Sequence, residues 1–209
     1  MVNKVFVLAP HTDDGEIGCG GTIARFVEEG KEVHYVAFST AKTSVRPEFP
    51  ENILEVEVQK ATAVLGISSE CLHVYDFPVR KFPELRQDIL QVLVDLRQKY
   101  APDLIFVPSP TDMHQDHQVI ANEGRRAFKS RTILGYEEPW NNMEFITRCF
   151  IKLEKRHVEK KIAALSAYES QKHRSYVDAD LVRSLTRMRG IQSESEYAEA
   201  FEVLRWIYE

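Results

Sequence analysis

The sequence predicts an α/β fold, a Rossmann-like three-layer sandwich with a mostly parallel central sheet and helices on both faces. Three observations predict it. The short apolar runs Val5–Ala9 and Leu104–Val107 show no polar alternation, as expected of strands buried on both faces. Segments with apolar residues at helical spacing lie between the strand candidates. Strands alternating with amphipathic helices at this interval pair in parallel through right-handed crossovers.

The elements follow in order. Val5–Ala9 (VFVLA) reads as a buried strand, followed by a glycine-containing loop and a helical stretch through Thr22, Ile23, Phe26 and Val27. Val33–Ser39 (VHYVAFS) is rich in β-branched and aromatic residues and reads as the second strand. Leu54, Val58, Ala61 and Leu65 then recur at helical spacing before Gly66, a C-terminal stop. Leu85, Ile89, Val92 and Leu96 form the apolar face of a third helix ending at Tyr100, and Leu104–Val107 (LIFV) is the strand after it. Further on, Lys152–Lys161 mixes charges of both signs, with Val158, Ile162, Leu165 and Tyr168 at helical spacing, and reads as a solvated helix face over an apolar stripe.

At 209 residues the chain fits one domain spanning 1–209, since domains run to ~100–200 residues. Its 44% hydrophobic and 28% charged content excludes a disordered or collagen-like chain. A formal charge of -5 argues against nucleic-acid binding by phosphate neutralisation. Cys19, Cys71 and Cys149 are scattered and build neither a disulfide framework nor a zinc ribbon, so a reducing cytoplasm is expected. The first apolar run is too short for a signal peptide, and no stretch approaches the ~18 apolar residues of a membrane span.

Ligands of parallel sheets sit beyond the carboxyl ends of the strands. After the first strand the chain reads Pro10-His11-Thr12-Asp13-Asp14-Gly15-Glu16, and after the LIFV strand Asp112-Met113-His114-Gln115-Asp116-His117. A catalytic zinc takes three protein ligands and keeps one position for water, a need that His11, Asp14 and His117 meet as a His₂Asp set. Two neutral imidazoles and one carboxylate leave net positive charge on the complex, which acidifies bound water toward roughly pKa 7. Asp13, beside a ligand and not required as one, is the candidate base. His114 is the candidate acid or oxyanion stabiliser, with Asp116 expected to orient its ring and raise its pKa. Taken singly, an Asp-Asp pair after a strand is more often a helix N-cap; what favours a site is that both clusters fall where the topology places one.

These residues, with Gly18-Cys19-Gly20-Gly21-Thr22 behind the first cluster, resemble the PIG-L/LmbE-like zinc-dependent N-deacetylases. Lys161–Leu165, Tyr168-x-Ser170-Gln171, Arg189-Gly190 and Tyr197–Phe201 are similar to the family's downstream blocks in the same order. The resemblance implies metal ligands at His11, Asp14 and His117, a general base at Asp13, and a protonated histidine with its aspartate at His114 and Asp116. It implies zinc, with ferrous iron the alternative, an N-acetylglucosamine-type small-molecule substrate, and a homo-oligomer. Thr12 and Gly15 depart from the family's usual proline and glutamate, with the acid displaced to Glu16. In place of an Arg-Gly-Glu-like element stands Thr40–Pro47, where Arg46 is the candidate for binding an anionic aglycone.

The remaining features carry less. The glycines after the first strand form no Gly-x-Gly-x-x-Gly, and the acids beside them would repel a pyrophosphate, which counts against a nicotinamide-dependent oxidoreductase. Activity on the amide of a sugar–thiol conjugate is compatible with the same residues, and so is a non-catalytic sugar-binding descendant of the fold. Cys19 reads as a core residue, and Trp140 as a core or interface side chain or one bordering a sugar.

Overall fold

The computed structural model describes residues 2–208. Seven strands, β1 (Lys4–His11), β2 (Glu32–Ser39), β3 (Leu72–Val74), β4 (Leu104–Pro108), β5 (Thr132–Tyr136), β6 (Cys149–Leu153) and β7 (Tyr197–Arg205), form one sheet in the order β3-β2-β1-β4-β5-β7-β6. The pairings from β3 through β5 are parallel, and β7 runs antiparallel to both β5 and β6. Six helices accompany them: α1 (Asp14–Glu28), α2 (Ile53–Leu65), α3 (Phe82–Tyr100), α4 (Gln115–Ala127), α5 (Lys155–Leu165) and α6 (Ala179–Gln192). This is the expected mostly parallel three-layer arrangement.

The apolar run of β1 is continuous because both faces of the strand are covered. Val5, Val7 and Ala9 join a core with Cys19, Ile23 and Phe26 of α1 and Val58 and Leu65 of α2. Phe6 and Leu8 point the other way, into a core with Ile89 and Leu93 of α3 and Ile120 of α4. Gly66 ends α2 in the left-handed conformation, φ 92°, as a C-terminal glycine does. Helix α1 packs tightly on the sheet: a Cβ at Gly18 would lie 2.2 Å from the Tyr136 ring.

That helix is kinked at Cys19 (φ −146°, ψ 25°), and two buried charges fill the break. Lys161 Nζ donates to the carbonyl of Ile17 at 2.6 Å, and Glu199 accepts from the N–H groups of Gly21 and Thr22 at 3.1 and 2.7 Å. The two side chains pair at 2.7 Å, so each charge is bonded both to its partner and to the backbone, as a buried ion pair requires. This corrects the reading of Lys152–Lys161 as a solvated helix face. Lys152 and Leu153 belong to β6, and His157 and Lys161 are buried. Cys19 is fully buried, in agreement with a core role.

The strand order places β4 on one side of β1 and β2 on the other. The chain leaves β1 toward α1 on one face of the sheet and leaves β4 toward α4 on the opposite face. The crevice between these two departures is the topological switch point, where α/β sheets bind ligands. Both His/Asp segments open into it.

Candidate active site

Helix α1 starts at Asp14, directly after β1, and α4 starts at Gln115, seven residues after β4 ends. Asp13 occupies the N-cap position of α1, yet its side chain makes no capping hydrogen bond, so its carboxylate is left for the cleft. His114 is the N-cap of α4, its Nδ1 accepting the N–H of Asp116 at 3.2 Å.

Three donor atoms from the two loops form a near-equilateral triangle. His11 Nδ1 lies 3.1 Å from Asp14 Oδ2 and 3.3 Å from His117 Nε2, and His117 Nε2 lies 3.4 Å from Asp14 Oδ2. Nitrogen and oxygen ligands ~2.0–2.1 Å from a tetrahedral zinc lie roughly 3.3 Å from one another. The donor set therefore fits one divalent cation. One ring nitrogen from each of His11, His114 and His117 also lies within 4.8 Å of the others, and so do donor atoms of Asp14, His117 and Glu138.

The second nitrogen of each triangle histidine faces a carboxylate. His117 Nδ1 meets Asp112 Oδ2 at 2.8 Å, and His11 Nε2 meets Asp116 Oδ2 at 3.1 Å. In its neutral form each ring thereby donates outward and turns a lone pair toward the triangle, the arrangement that fixes metal-binding tautomers. Asp116 is completely buried and also accepts the N–H of Arg80 at 2.6 Å and of Phe82 at 3.4 Å.

This geometry corrects one expectation. Asp116 does not orient the His114 ring, because its carboxylate is committed to His11, Arg80 and Phe82; only its backbone N–H reaches His114. The imidazole is correspondingly not made more basic. Burial, with His117 and His11 nearby, lowers His114 to about 4. Since Nδ1 accepts from Asp116, the proton of the neutral ring sits on Nε2.

The remaining charges follow from burial and neighbours. Burial, with Asp14 alongside, pushes Asp13 up to about 6. Asp14 is held well below the usual carboxylate range: His117 and His11 outweigh the cost of its burial. Burial opposes charge on His11, but Asp14 and Asp116 together push it up to about 10. Glu138 is buried, 3.7 Å from His117 Nδ1, with Oε1 lacking a partner. Burial beside Asp14 and Asp112 pushes its carboxyl well up.

The triangle forms the floor of a cleft of about 350 Å³ whose lining includes Asp13, His114, Ser44, Trp140, Arg174 and Tyr176. Trp140 stacks on Tyr176 with ring centroids 4.2 Å apart and planes 15° from parallel. Arg46 is not in this lining; it is exposed and pairs with Glu48 at 2.6 Å. Arg80 stands near the rim with φ 67°, a left-handed backbone that costs a side-chain-bearing residue about 1 kcal/mol or more. Glu16 lies beneath the loop, fully buried, bonded to the hydroxyls of Tyr35 and Tyr168, both of which also reach the carbonyl of Thr12.

Asp112, Glu138, Tyr176 and Arg174 were not assigned roles from sequence. Asp112 had a signal, its place five residues before His117 in the same cluster. Tyr176 and Arg174 lie in a polar stretch without a pattern that points inward.

The family described as PIG-L, GlcNAc-PI de-N-acetylase, matches residues 6–128, which contain all three triangle ligands. The chain belongs to this family. It is 25% identical over 174 residues to the uncharacterized deacetylase YaiS of Escherichia coli K12, covering 79% of this chain and 90% of that one. It is 29% identical over 129 residues to the diacetylchitobiose deacetylase of Thermococcus kodakarensis, covering 56% of this chain and 46% of that one. The crystal structure of GalB, the 4-carboxy-2-hydroxymuconate hydratase of Pseudomonas putida KT2440, superposes with a TM-score of 0.80 at 19% identity, covering 99% of this chain and 98% of that one. The last likeness is one of fold, and one fold serves several reactions. The site and the family fit the deacetylase reading better than that of a nicotinamide-dependent oxidoreductase.

Proposed function

We propose that the chain is a zinc-dependent hydrolase, with ferrous iron the alternative metal, that removes the acetyl group from an N-acetylglucosamine-type amino sugar or its conjugate. The observation that carries this reading is the triangle of His11, Asp14 and His117 with the uncommitted carboxylate of Asp13 beside it.

A divalent cation held by these three side chains supplies Lewis-acid polarisation of the acetamide carbonyl and acidifies water at the same point. Asp13 takes the proton of the attacking water; a carboxylate pushed up to about 6 is suited to both accept and return a proton near neutral pH. His114 presents its Nε2–H to the oxygen that becomes negative as the carbonyl turns tetrahedral. The proton on Asp13 passes to the sugar nitrogen as the C–N bond breaks, giving acetate and a free amine. Asp112 and Asp116 hold the rings of His117 and His11. The Trp140–Tyr176 stack offers an apolar face for a pyranose ring. A single domain, a reducing cytoplasm and a homo-oligomeric state complete the proposal. They are supported by the continuous sheet, three free cysteines, and exposed Trp206 and Tyr208 beyond β7.

The test is amine release from N-acetylglucosamine conjugates by metal-loaded protein, with metal content measured on every variant. Asp13→Ala is expected to lose ~10²–10⁴-fold in kcat while keeping its metal; His11→Ala and His117→Ala are expected to lose the metal itself. Near wild-type turnover by Asp13→Ala would overturn the base assignment.

A further inference from the structure

A second set of donor atoms lies toward the other end of the sheet. Glu32 and His34 are two residues apart on β2, so their side chains leave the same face of the strand. Cys71 directly precedes β3 and His73 lies in it, and β3 pairs with β2 in parallel. His34 Nε2 lies 2.6 Å from Glu32 Oε1 and 4.0 Å from Cys71 Sγ, and one donor atom of each of the three lies within 4.8 Å of the others. Oxygen, nitrogen and sulfur ligands ~2.0–2.3 Å from a tetrahedral zinc lie roughly 3.3–3.6 Å from one another, so the trio closes on one ion with shifts under ~1 Å. The half-exposed Glu32 side chain is free to make them. His34 is buried, and its other nitrogen is engaged: Nδ1 meets His73 Nε2 at 3.0 Å, with the two rings 6° from parallel. A ligating ring at the triangle is likewise held from behind through its other nitrogen. Tyr100 and Phe6 pack on the His34 ring with centroids 4.5 and 4.9 Å away. Lys4 Nζ pairs with Glu32 Oε1 at 3.2 Å, and Lys99 Nζ stands 4.9 Å over the Tyr100 ring. These ammonium groups repel a bare cation, but the Glu32 carboxylate and a Cys71 thiolate together cancel the charge of a divalent ion.

We propose that Glu32, His34 and Cys71 form a second metal site, separate from the triangle, that binds a zinc-class divalent transition-metal ion, with His73 orienting the His34 ring. A thiolate and an imidazole favour such an ion over magnesium and calcium, which take oxygen ligands. Ligation releases the thiol proton of Cys71 to solvent. It also requires the His34 proton on Nδ1, where His73 Nε2 accepts the hydrogen bond, so that the Nε2 lone pair faces the ion. His34 precedes Ser39, the register partner of His11, by five residues of β2, which sets the two sites ~17 Å apart along the strand. The second ion thus lies out of reach of a substrate at the triangle. It ties β2 to the segment entering β3, the three-residue edge strand of the sheet. The site stands independently of the deacetylase reading.

The experiment titrates chelator-stripped protein with zinc, and again with cobalt(II) as a spectroscopic probe. The wild type is expected to bind two equivalents. His11→Ala, which loses the ion of the triangle, and Cys71→Ser are expected to bind one each, and the double variant none. The ion left in His11→Ala is expected to show the near-ultraviolet cobalt–thiolate charge-transfer band, and the ion left in Cys71→Ser to lack it. Zinc is expected to raise the Tm of His11→Ala, and adding Cys71→Ser to cancel the rise. Glu32→Gln, at an exposed position, is expected to weaken this ion about tenfold or more, with little change in the Tm of the stripped protein. Cys71→Ser is expected to keep wild-type turnover when loaded, since the triangle is intact. No ion bound by His11→Ala, or cobalt bound there without the thiolate band, overturns the proposal and leaves the triangle standing. Should His11→Ala not fold, the band in the wild type decides in its place: its loss in Cys71→Ser supports the site, and its absence from the wild type overturns it.

Discussion

Asp116 Oδ2 accepts from His11 Nε2 at 3.1 Å across 105 positions of sequence, so the first turn of α4 positions a metal donor at the end of β1. The counterpart within the β4–α4 segment itself is Asp112, in the loop, on His117 Nδ1 at 2.8 Å. The end of β1 thus depends on the β4–α4 segment, and the donor triangle forms only when both are folded. Asp116 is itself held by the Arg80 and Phe82 N–H groups at the start of α3, which extends the support to a third segment.

Asp116→Asn and Asp112→Asn are expected to keep all three metal donors and still weaken metal affinity about 10–100-fold each, the usual effect of removing the carboxylate behind a ligating histidine. Competition with a chromogenic chelator measures this. Unchanged affinity in both variants would mean that the carboxylates do not set the ring tautomers.

Much of the fold was legible because β1, β2 and β4 are covered on both faces and read as uninterrupted apolar runs. The sheet beyond β4 was not, and β7 shows why. Its Tyr197–Arg205 segment carries Glu199 and Glu202, which break an apolar pattern. Both are buried, and both are paired through folding: Glu199 with Lys161, Glu202 with Ser109 Oγ at 2.6 Å and the N–H of Ile146 at 3.2 Å. No local signal distinguishes such glutamates from solvated ones.

At the site, strand ends and His/Asp spacing located the cluster, since the switch point follows from strand order alone. The partner of Asp116 did not follow from spacing. His114 lies two residues away in sequence, but as the extended N-cap of α4 it receives only the backbone N–H of Asp116, and the ring that the Asp116 carboxylate meets comes from the end of β1. The Thr12 and Gly15 departures have a structural setting: a Cβ at Gly15 would lie 2.5 Å from the Tyr35 ring, and Tyr35 bonds Glu16 and the Thr12 carbonyl.

Glu16 gives a test of that buried cluster. Burial, against the opposing hydrogen bonds of Tyr35 and Tyr168, pushes its carboxyl from 4.5 up to about 8. A pKa raised on folding contributes stability that is full below the unfolded value and is lost as pH rises through the folded one. Glu16→Gln, neutral at every pH, is therefore expected to gain Tm relative to the wild type between pH 5 and pH 9. A Tm difference that stays constant over this interval would show that Glu16 is ionised in the native protein throughout.

His11 predicts opposite pH trends for metal-stripped and metal-loaded protein. Without metal its imidazole, held between Asp14 and Asp116, is pushed from 6.5 up to about 10. The stabilisation from its charge is complete below pH 6.5 and disappears as pH rises toward 10. Asp13, raised to about 6, adds to the same decline because its ionised form is disfavoured in the fold. Asp14, whose pKa is lowered, acts only at the acid end, below its ordinary 3.8. Stripped protein is thus expected to lose Tm from pH 6 to pH 9. A cation must displace the proton on His11, so its affinity rises with pH, and the Tm gap between loaded and stripped protein is expected to widen over the same interval. Paired melts at pH 6, 7.5 and 9 with zinc or chelator measure both trends. A gap that narrows with pH would place the competing proton on a group other than His11.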